Sequence, residues 1–217
     1  MRKSTMQLLL ITLVAAAPLA AQMPAGWMMR FDPTRGGRPA PAPTEAKFVS
    51  MGTGFHVTTG PAGAAIFYNT KDMGSGQYSV AATFKAAKSM QHEAYGIFIG
   101  GSNLQDSTQN YLYLVIRPLD GHFAIGHRDS NGRPAYLAAM ADPANPAINM
   151  DAATDGSSTN TVMIHVAADT VHFIVNGKLV KALAKSALGG AKTDGQAGIR
   201  INHGSDIHID SWTGVKK

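Results

Sequence analysis

The chain has 217 residues and a formal charge of +5 at pH 7, which is long enough for a substantial hydrophobic core. It contains no cysteine, which excludes disulfides and thiolate metal sites. Lysine and arginine are scattered and form no basic run of the kind that binds DNA or RNA, so we exclude nucleic acid as a partner.

The first 21 residues have the three parts of a secretory signal peptide. Arg2 and Lys3 are positively charged, residues 8–17 are almost wholly apolar, and the segment ends in small residues at Ala21. The apolar stretch is shorter than the roughly twenty residues of a membrane-spanning helix, so we expect cleavage and no transmembrane span afterwards. Retention as an uncleaved membrane tether is the alternative. The sequence thus predicts export to the periplasm, the outer surface or the extracellular space.

Residues 22–46 are rich in proline and glycine. This composition favours extended or polyproline-like backbone and buries too little surface to fold alone, so we predict an arm or linker. The arm nevertheless carries four large apolar side chains, on Trp27, Met28, Met29 and Phe31. They either pack on the arm's own domain or contact a protein partner or a membrane surface.

Residues 47–217 are predicted to form an all-β domain. Short segments rich in Val, Ile, Phe, Tyr and Thr alternate with turn residues, and several have an apolar side chain at every second position. Asn-Gly at 176–177 and Asp-Gly at 120–121 predict tight hairpins between antiparallel neighbours. So many strands on one chain predict two packed antiparallel sheets. The predicted strands are 47–50, 53–59, 64–69, 77–86, 93–100, 110–117, 121–128, 134–140, 160–167, 170–176, 178–182, 197–203 and 206–213.

Three segments stand out between and within these strands. Residues 95–100 and 111–116 are apolar at almost every position, which is typical of central strands. Residues 141–159 are predicted to be a long loop, and loops of this length are often functional or mobile. A short helical turn is expected within residues 178–192.

Several segments, taken in order along the chain, resemble the concanavalin A-like lectin and glucanase sandwiches. They include an Asn-Gly hairpin followed by a Gly-x-x-Gly-Ile-Arg segment near the C-terminus. More narrowly, the chain looks like the secreted bacterial domains grouped as 3-keto-disaccharide hydrolase-like, or DUF1080-type. The resemblance implies a jelly-roll sandwich whose concave face tends to hold carbohydrate. The segments that carry it are 54–62, 95–104, 111–117, 120–123, 171–177 and 195–200.

The catalytic pair that the resemblance suggests is missing. Retaining glucanases need two carboxylic acids about 5 Å apart, and glucanases of this fold place them as two glutamates on one strand. The glutamates of this chain are Glu45, in the arm, and Glu93. We therefore expect no glucanase activity of this kind.

A metal site is the next candidate, near the C-terminus. His208 and Asp210 are predicted on one face of a strand, and His203 and Asp206 precede them, so the four offer ligands for Ca²⁺ or Zn²⁺. Alternation with two isoleucines explains the same residues as the solvent-facing side of a strand. We favour the surface strand and predict no cofactor.

Sugar binding requires aromatic rings and planar polar groups on one surface. If Leu112, Leu114 and Ile116 point into the core, the intervening residues share the other face. The alternative is that the tyrosines form a packing surface for the second sheet and that the arginines are solvated. The candidate ligand-binding residues are Tyr111, Tyr113, Arg117, His122, Arg128, Arg200 and Asn202.

Three functions follow from these observations. The leading hypothesis is a secreted, non-catalytic module that binds a glycan or another component of the cell envelope. The second is a hydrolase or lyase acting on a sugar derivative. The third is a structural subunit of an envelope complex, docked through residues 22–46.

Overall fold

The structure is a computed structural model that describes residues 23–32, 40–129, 134–141, 143–150 and 156–217. The predicted signal peptide lies outside these residues. Within them, helical structure is limited to three short 3-10 turns, and one of these, Lys185–Ala187, falls where a helical turn is predicted. The strands are, in chain order, β1 (Trp27–Phe31), β2 (Ala46–Met51), β3 (Gly54–Thr59), β4 (Ala65–Gly74), β5 (Tyr78–Ala86), β6 (Tyr95–Ser102), β7 (Asn110–Arg117), β8 (His122–Arg128), β9 (Ala135–Ala138), β10 (Ser158–Val166), β11 (Thr170–Val175), β12 (Lys178–Ala184), β13 (Gly195–Ile201) and β14 (Asp206–Trp212).

The strands form two seven-stranded antiparallel sheets, which confirms the predicted sandwich. The first sheet has the order β1-β4-β13-β6-β7-β8-β9, and the second has the order β12-β11-β10-β5-β14-β3-β2. Each of the thirteen predicted strands corresponds to an observed strand, with ends shifted by up to a few residues. The architecture is therefore an all-β sandwich of two antiparallel sheets.

The hydrophobic core lies between the two sheets and follows from the alternation of side chains. In β10, Val162, Ile164 and Val166 are fully buried, whereas the intervening Met163 and His165 are only partly buried. The hairpin between β11 and β12 turns at Asn176 and Gly177, both with positive φ, as an Asn-Gly turn requires. Val162, Ile164 and Val166 are thereby directed toward the facing sheet.

Strand β1 was not predicted, because it lies in the proline- and glycine-rich segment. It pairs with β4, with Trp27 opposite Asn69, and forms the edge of the first sheet. The Trp27 ring packs against Phe48, at 4.7 Å between centroids, and against Phe55, at 5.0 Å. Since both phenylalanines belong to the second sheet, Trp27 joins the two layers.

The arm's apolar side chains are therefore part of the sandwich. Met29 and Phe31 share the inward face with Trp27, and Met28 is the one of the four that is exposed. Packing on the chain's own domain, one of the two alternatives for these side chains, is thus what the structure shows. Residues 27–31 form a strand of the sandwich, although the composition of residues 22–46 predicted an arm or linker. Their packing also removes the observation that suggested a protein partner at this segment.

The described part of the predicted long loop is packed on the sandwich. Asn160 and Asn149 exchange hydrogen bonds, with the Asn149 backbone N–H donating to Asn160 Oδ1 at 2.8 Å. Asn176 Nδ2 donates to the Ala147 carbonyl at 2.8 Å, and Ala147 and Ile148 are buried. These buried contacts hold residues 143–150 against the core.

Replacing Trp27 tests the contribution of β1 to the sandwich. We expect Trp27→Ala to lower the free energy of unfolding by about 3 kcal/mol, because it leaves a cavity between the layers. Met28→Ala, on the opposite face of the same strand, is expected to change it by less than about 0.5 kcal/mol. Urea denaturation of both variants measures the difference. Equal stability of the two variants would show that β1 is not docked.

Candidate functional site

The first sheet carries a second apolar cluster on its outer face, the face turned away from the second sheet. Strand β7 sends Leu112 and Leu114 into the central core and Tyr111, Tyr113 and Val115 to the outer face, as the alternation predicts. An apolar surface of this kind is stable only when other residues cover it. The cluster consists of Ile66, Tyr68, Ala94, Phe98, Leu104, Tyr111, Tyr113, Val115 and Ala124.

The loop between β6 and β7 covers part of this outer face. Leu104 packs in the outer cluster, and Arg30 of β1 donates hydrogen bonds to the carbonyl oxygens of Leu104 and Asp106. Gln105 Nε2 donates to the Tyr68 hydroxyl at 2.9 Å. The loop also lines a small depression beside Tyr68, of about 350 Å³.

The larger pocket has a volume of about 790 Å³, in the range of small-ligand sites. Outward-facing side chains of β7, β8 and β13 contribute to it, together with β9, the residues after β9, and residues 61–64. Its described lining residues are Asp32, Pro61, Ala62, Gly63, Ala64, Ala94, Tyr113, Val115, Ala124, Arg128, Pro134, Tyr136, Ala139, Met140, Arg200, Asn202 and His203.

Asp32 is the buried carboxylate of this pocket. Its backbone N–H donates to the Ala64 carbonyl at 2.7 Å, directly after β1 ends. Its Oδ1 accepts a hydrogen bond from the Tyr111 hydroxyl at 2.6 Å, and its Oδ2 accepts one from Arg200 Nη2 at 2.9 Å. Arg128 Nε lies 4.0 Å from Oδ1. Burial of this charge is tolerated because cations and a hydroxyl replace its hydration.

Arg200 is the centre of the hydrogen-bond network. Besides Asp32, it donates from Nη1 to Asn202 Oδ1 at 2.8 Å, and its guanidinium lies 4.5 Å above the Tyr113 ring. Burial acts to lower the pKa of Arg200, but Tyr111 and Asp32 outweigh that effect and keep the pKa above its ordinary value. The side chain therefore stays charged and fixed in one orientation.

The Tyr113 ring lies against β8 because the residue opposite it on that strand is Gly126. A Cβ at position 126 would overlap the Tyr113 ring, so Gly126 leaves the space that the ring occupies. Burial raises the pKa of Tyr113 to about 12, with Arg200 acting in the opposite direction. Burial likewise raises the pKa of Tyr111 well above its ordinary value. Both hydroxyls are protonated donors at neutral pH.

Five of the seven residues proposed from the sequence for sugar binding meet here. Tyr113, Arg128, Arg200 and Asn202 line the pocket, and Tyr111 is buried beside them. The two tyrosines face away from the second sheet and do not pack against it, but both are buried on the outer face, and Arg200 lies over the Tyr113 ring. Neither ring is exposed for stacking on a sugar.

Arg117 and His122 lie on the same outer face but at the other end of β7 and β8. They are opposite one another in register, six residues from the pair Tyr111 and Arg128, which corresponds to about 20 Å. Arg117 Nε donates to Asp120 at 2.8 Å, and His122 Nδ1 lies 3.2 Å from the same carboxylate. They form a separate cluster outside the pocket lining.

Two polar or aromatic residues of the pocket, Asp32 and Tyr136, were not predicted from the sequence. Asp32 follows a strand that the proline-rich composition concealed, although the alternation of Trp27, Met29 and Phe31 was a signal for that strand. Tyr136, in β9, is 54% exposed and is the accessible aromatic ring among the described lining residues. A lone tyrosine between alanine and leucine gives no sequence signal for ligand binding.

The four metal candidates do not form one site. His203 Nδ1 lies 3.4 Å from Glu93 Oε1, whereas Asp206 Oδ1 accepts a hydrogen bond from His56 Nε2 at 2.6 Å. His208 stacks on His56, with ring centroids 4.6 Å apart, and Asp210 is exposed. Within the described ranges, no group of three or more His, Asp or Glu side chains is placed to hold a metal ion.

Comparisons with known proteins agree on the fold. The carbohydrate-binding module CBM66 from Bacillus subtilis matches with 9% identity over 88% of this chain and 93% of that chain, with a TM-score of 0.58. The β-glucanase of Bacillus licheniformis matches with 13% identity over 90% and 94%, with a TM-score of 0.57. A glycoside hydrolase family 16 endo-glucanase from Bacteroides ovatus matches with 11% identity over 88% and 93%, with a TM-score of 0.55.

These similarities show that the chain has the concanavalin A-like sandwich fold. The narrower resemblance to DUF1080-type domains stays a prediction. No protein-family profile and no curated protein matches the sequence. None of the helices in the described residues is long and apolar enough to cross a membrane.

The buried tyrosines predict a loss of stability at alkaline pH. Burial raises the pKa of Tyr95 and of Tyr113 to about 12, whereas the unfolded chain ionises its tyrosines near pH 10. The stabilisation is complete below pH 10 and falls as pH rises from about 10 to about 12, because only the unfolded state releases these protons there. Urea unfolding midpoints at rising pH, with absorbance at about 295 nm, measure this. Ionisation of all six tyrosines near pH 10 in folded protein would contradict it.

Removing the Asp32 charge tests the pocket network. We expect Asp32→Asn to destabilise the fold by about 3 to 5 kcal/mol, because Arg200 is left buried without its carboxylate partner. The matched control is Asp120→Asn at the partly exposed Arg117–Asp120 pair, for which we expect less than about 1 kcal/mol. Urea denaturation at neutral pH distinguishes the two. Similar losses in both variants would contradict a structural role for Asp32 in the network.

Proposed function

We propose that this chain is an exported carbohydrate-binding protein whose ligand occupies the outer-face pocket. The observation that carries the proposal is the combination, in one pocket, of an exposed aromatic ring with planar polar groups. Tyr136 supplies the ring, the buried Arg128 and Arg200 supply two guanidinium groups, and the partly buried Asn202 supplies an amide. Sugars are bound by this pairing, because their C–H faces pack on aromatic rings and their oxygens accept and donate hydrogen bonds.

The rigidity of the polar groups supports binding in this pocket. Arg200 is held by Asp32, Asn202 and the Tyr113 ring, so its donors are oriented before a ligand arrives. A side chain that is already ordered loses little further conformational freedom on binding. A pocket built on strands in this way favours selective recognition of a small ligand.

The single carboxylate among the described lining residues favours binding over hydrolysis. Hydrolysis by two carboxylic acids needs both beside the scissile bond. Asp32 is the one carboxylate among the described residues that line the pocket, and both of its oxygens accept hydrogen bonds from protein groups. We therefore propose a non-catalytic site. The names of one neighbour, a carbohydrate-binding module, and of two others, glucanases, are compatible with a sugar ligand on this fold.

Export belongs to the same proposal. It rests on the charged start, apolar stretch and small residues of the first 21 positions. Glycans of the cell surface and the surroundings are accessible to an exported protein, so localisation and ligand are consistent. A docked subunit receives no support, because the apolar side chains of residues 27–31 are mainly directed into the sandwich.

Tyr136 provides the direct test of sugar binding. We expect the protein to bind glycans on an array of microbial and plant polysaccharides. Tyr136→Ala is expected to weaken binding at least about tenfold, or about 1.4 kcal/mol, because the exposed ring is removed. Titration calorimetry with the strongest array ligand measures the change, and Tyr136→Phe separates stacking from hydrogen bonding.

The matched control is Leu179→Ala, since Leu179 is 59% exposed on β12 of the second sheet, away from the pocket. It is expected to bind like the unmodified protein. Absence of binding to every glycan, or equal binding by Tyr136→Ala, would refute the proposal.

A further inference from the structure

The acceptor oxygens around Arg200 are each engaged once by the protein. Asp32 accepts from Tyr111 on one oxygen and from Arg200 on the other. Asn202 Oδ1 accepts from Arg200 Nη1, and the Asn202 backbone carbonyl accepts from Thr59 Oγ1 at 2.7 Å. These bonds fix the orientation of the Asp32 and Asn202 side chains relative to the Arg200 guanidinium.

Two side chains of the pocket keep donor hydrogens. Asn202 Nδ2 makes no hydrogen bond to any described residue, and the Asn202 side chain is oriented by Arg200 through its oxygen. Each terminal nitrogen of Arg200 has two hydrogens and uses one of them on Asp32 or Asn202. The planar Asn202 amide and the planar Arg200 guanidinium therefore form one group of donors.

The charge of the lining points in the same direction. The described lining residues include two arginines, Arg128 and Arg200, and one carboxylate, Asp32. With His203 neutral, their formal charges sum to +1. Arg128 and Arg200 are 4% and 7% exposed, so their charges act in a poorly hydrated environment. Electrostatic attraction to an anion is stronger there than at an exposed surface.

We propose that the ligand of this pocket is an acidic sugar, a hexuronate unit whose carboxylate is bound by the Arg200 and Asn202 donors. This inference rests on the proposed function and adds the class of sugar. A carboxylate accepts hydrogen bonds without donating any, so the Asn202 amide and the Arg200 guanidinium can both donate to it. Its negative charge strengthens these hydrogen bonds, and the hydroxyl of a neutral sugar has no such charge. The planar guanidinium and amide suit a planar carboxylate.

The test compares each acidic sugar with its own methyl ester. The probes are oligosaccharides of glucuronate, galacturonate and mannuronate, and the same oligosaccharides with esterified carboxyl groups, measured by titration calorimetry on the full chain. We expect at least one free acid to bind about tenfold or more tightly than its ester, with an affinity that falls as NaCl rises from about 50 to about 500 mM.

Two outcomes overturn the inference and are distinguishable. Equal binding of acid and ester, or binding of neutral glycans alone, overturns the acidic ligand and leaves the carbohydrate-binding proposal standing. Absence of binding to all acidic and neutral glycans overturns both.

Asn202→Asp tests the assignment to the pocket. It keeps the oxygen that accepts from Arg200, but it replaces the free donor by an acceptor and adds a negative charge. We expect it to weaken binding of the free acid at least about tenfold and to change binding of the ester much less. The control is Asn69→Asp, the same change in charge at a residue outside the pocket lining. Equal weakening by both variants would overturn the assignment to Asn202.

Discussion

The contact between the Asp32 carboxylate and Arg200 is the interaction on which the pocket depends. It joins the end of β1 to β13, and the Tyr111 hydroxyl extends it to β7, so three strands of the first sheet meet at one buried charge. A buried carboxylate without these partners would cost several kcal/mol, so the network forms completely or the fold is strongly weakened. The same contacts hold the Arg200 guanidinium above the Tyr113 ring and beside Asn202. The structural network and the proposed recognition of a ligand therefore depend on the same residues, Arg200 and Asn202.

Strand β1 is what brings Asp32 to this position. Trp27 anchors the strand by packing against Phe48 and Phe55 of the second sheet, and the ladder with β4 continues to Phe31, opposite Ala65. Asp32 then follows as the first residue beyond the strand. Residues 27–32 thus connect the packing of Trp27 between the two sheets to the position of the Asp32 carboxylate in the pocket.

Local patterns were sufficient to predict most of the fold. Alternation and Asn-Gly or Asp-Gly turns act over a few residues, so thirteen strands and the orientation of Tyr113 followed from the sequence. The burial of Tyr113 could not be predicted from such local patterns. It depends on Arg200, which is eighty-seven positions away in the sequence, and on the space that Gly126 leaves beside the ring. Asp32 and Tyr136 were missed for the same reason. Their environments are made by distant segments, and in β1 the surrounding composition suggested a linker.

The most direct measurement of where a sugar binds is the mapping of backbone and side-chain amide signals by nuclear magnetic resonance during titration with acidic and neutral oligosaccharides. A ligand in the outer-face pocket predicts shifts of the Asn202 side-chain amide and of the backbone amides of Gly63, Gly126 and Tyr136. Residues of the outer face of the second sheet, such as His165 and His172, should be unaffected. Shifts confined to the second sheet, with the Asn202 amide unchanged, would contradict the central claim.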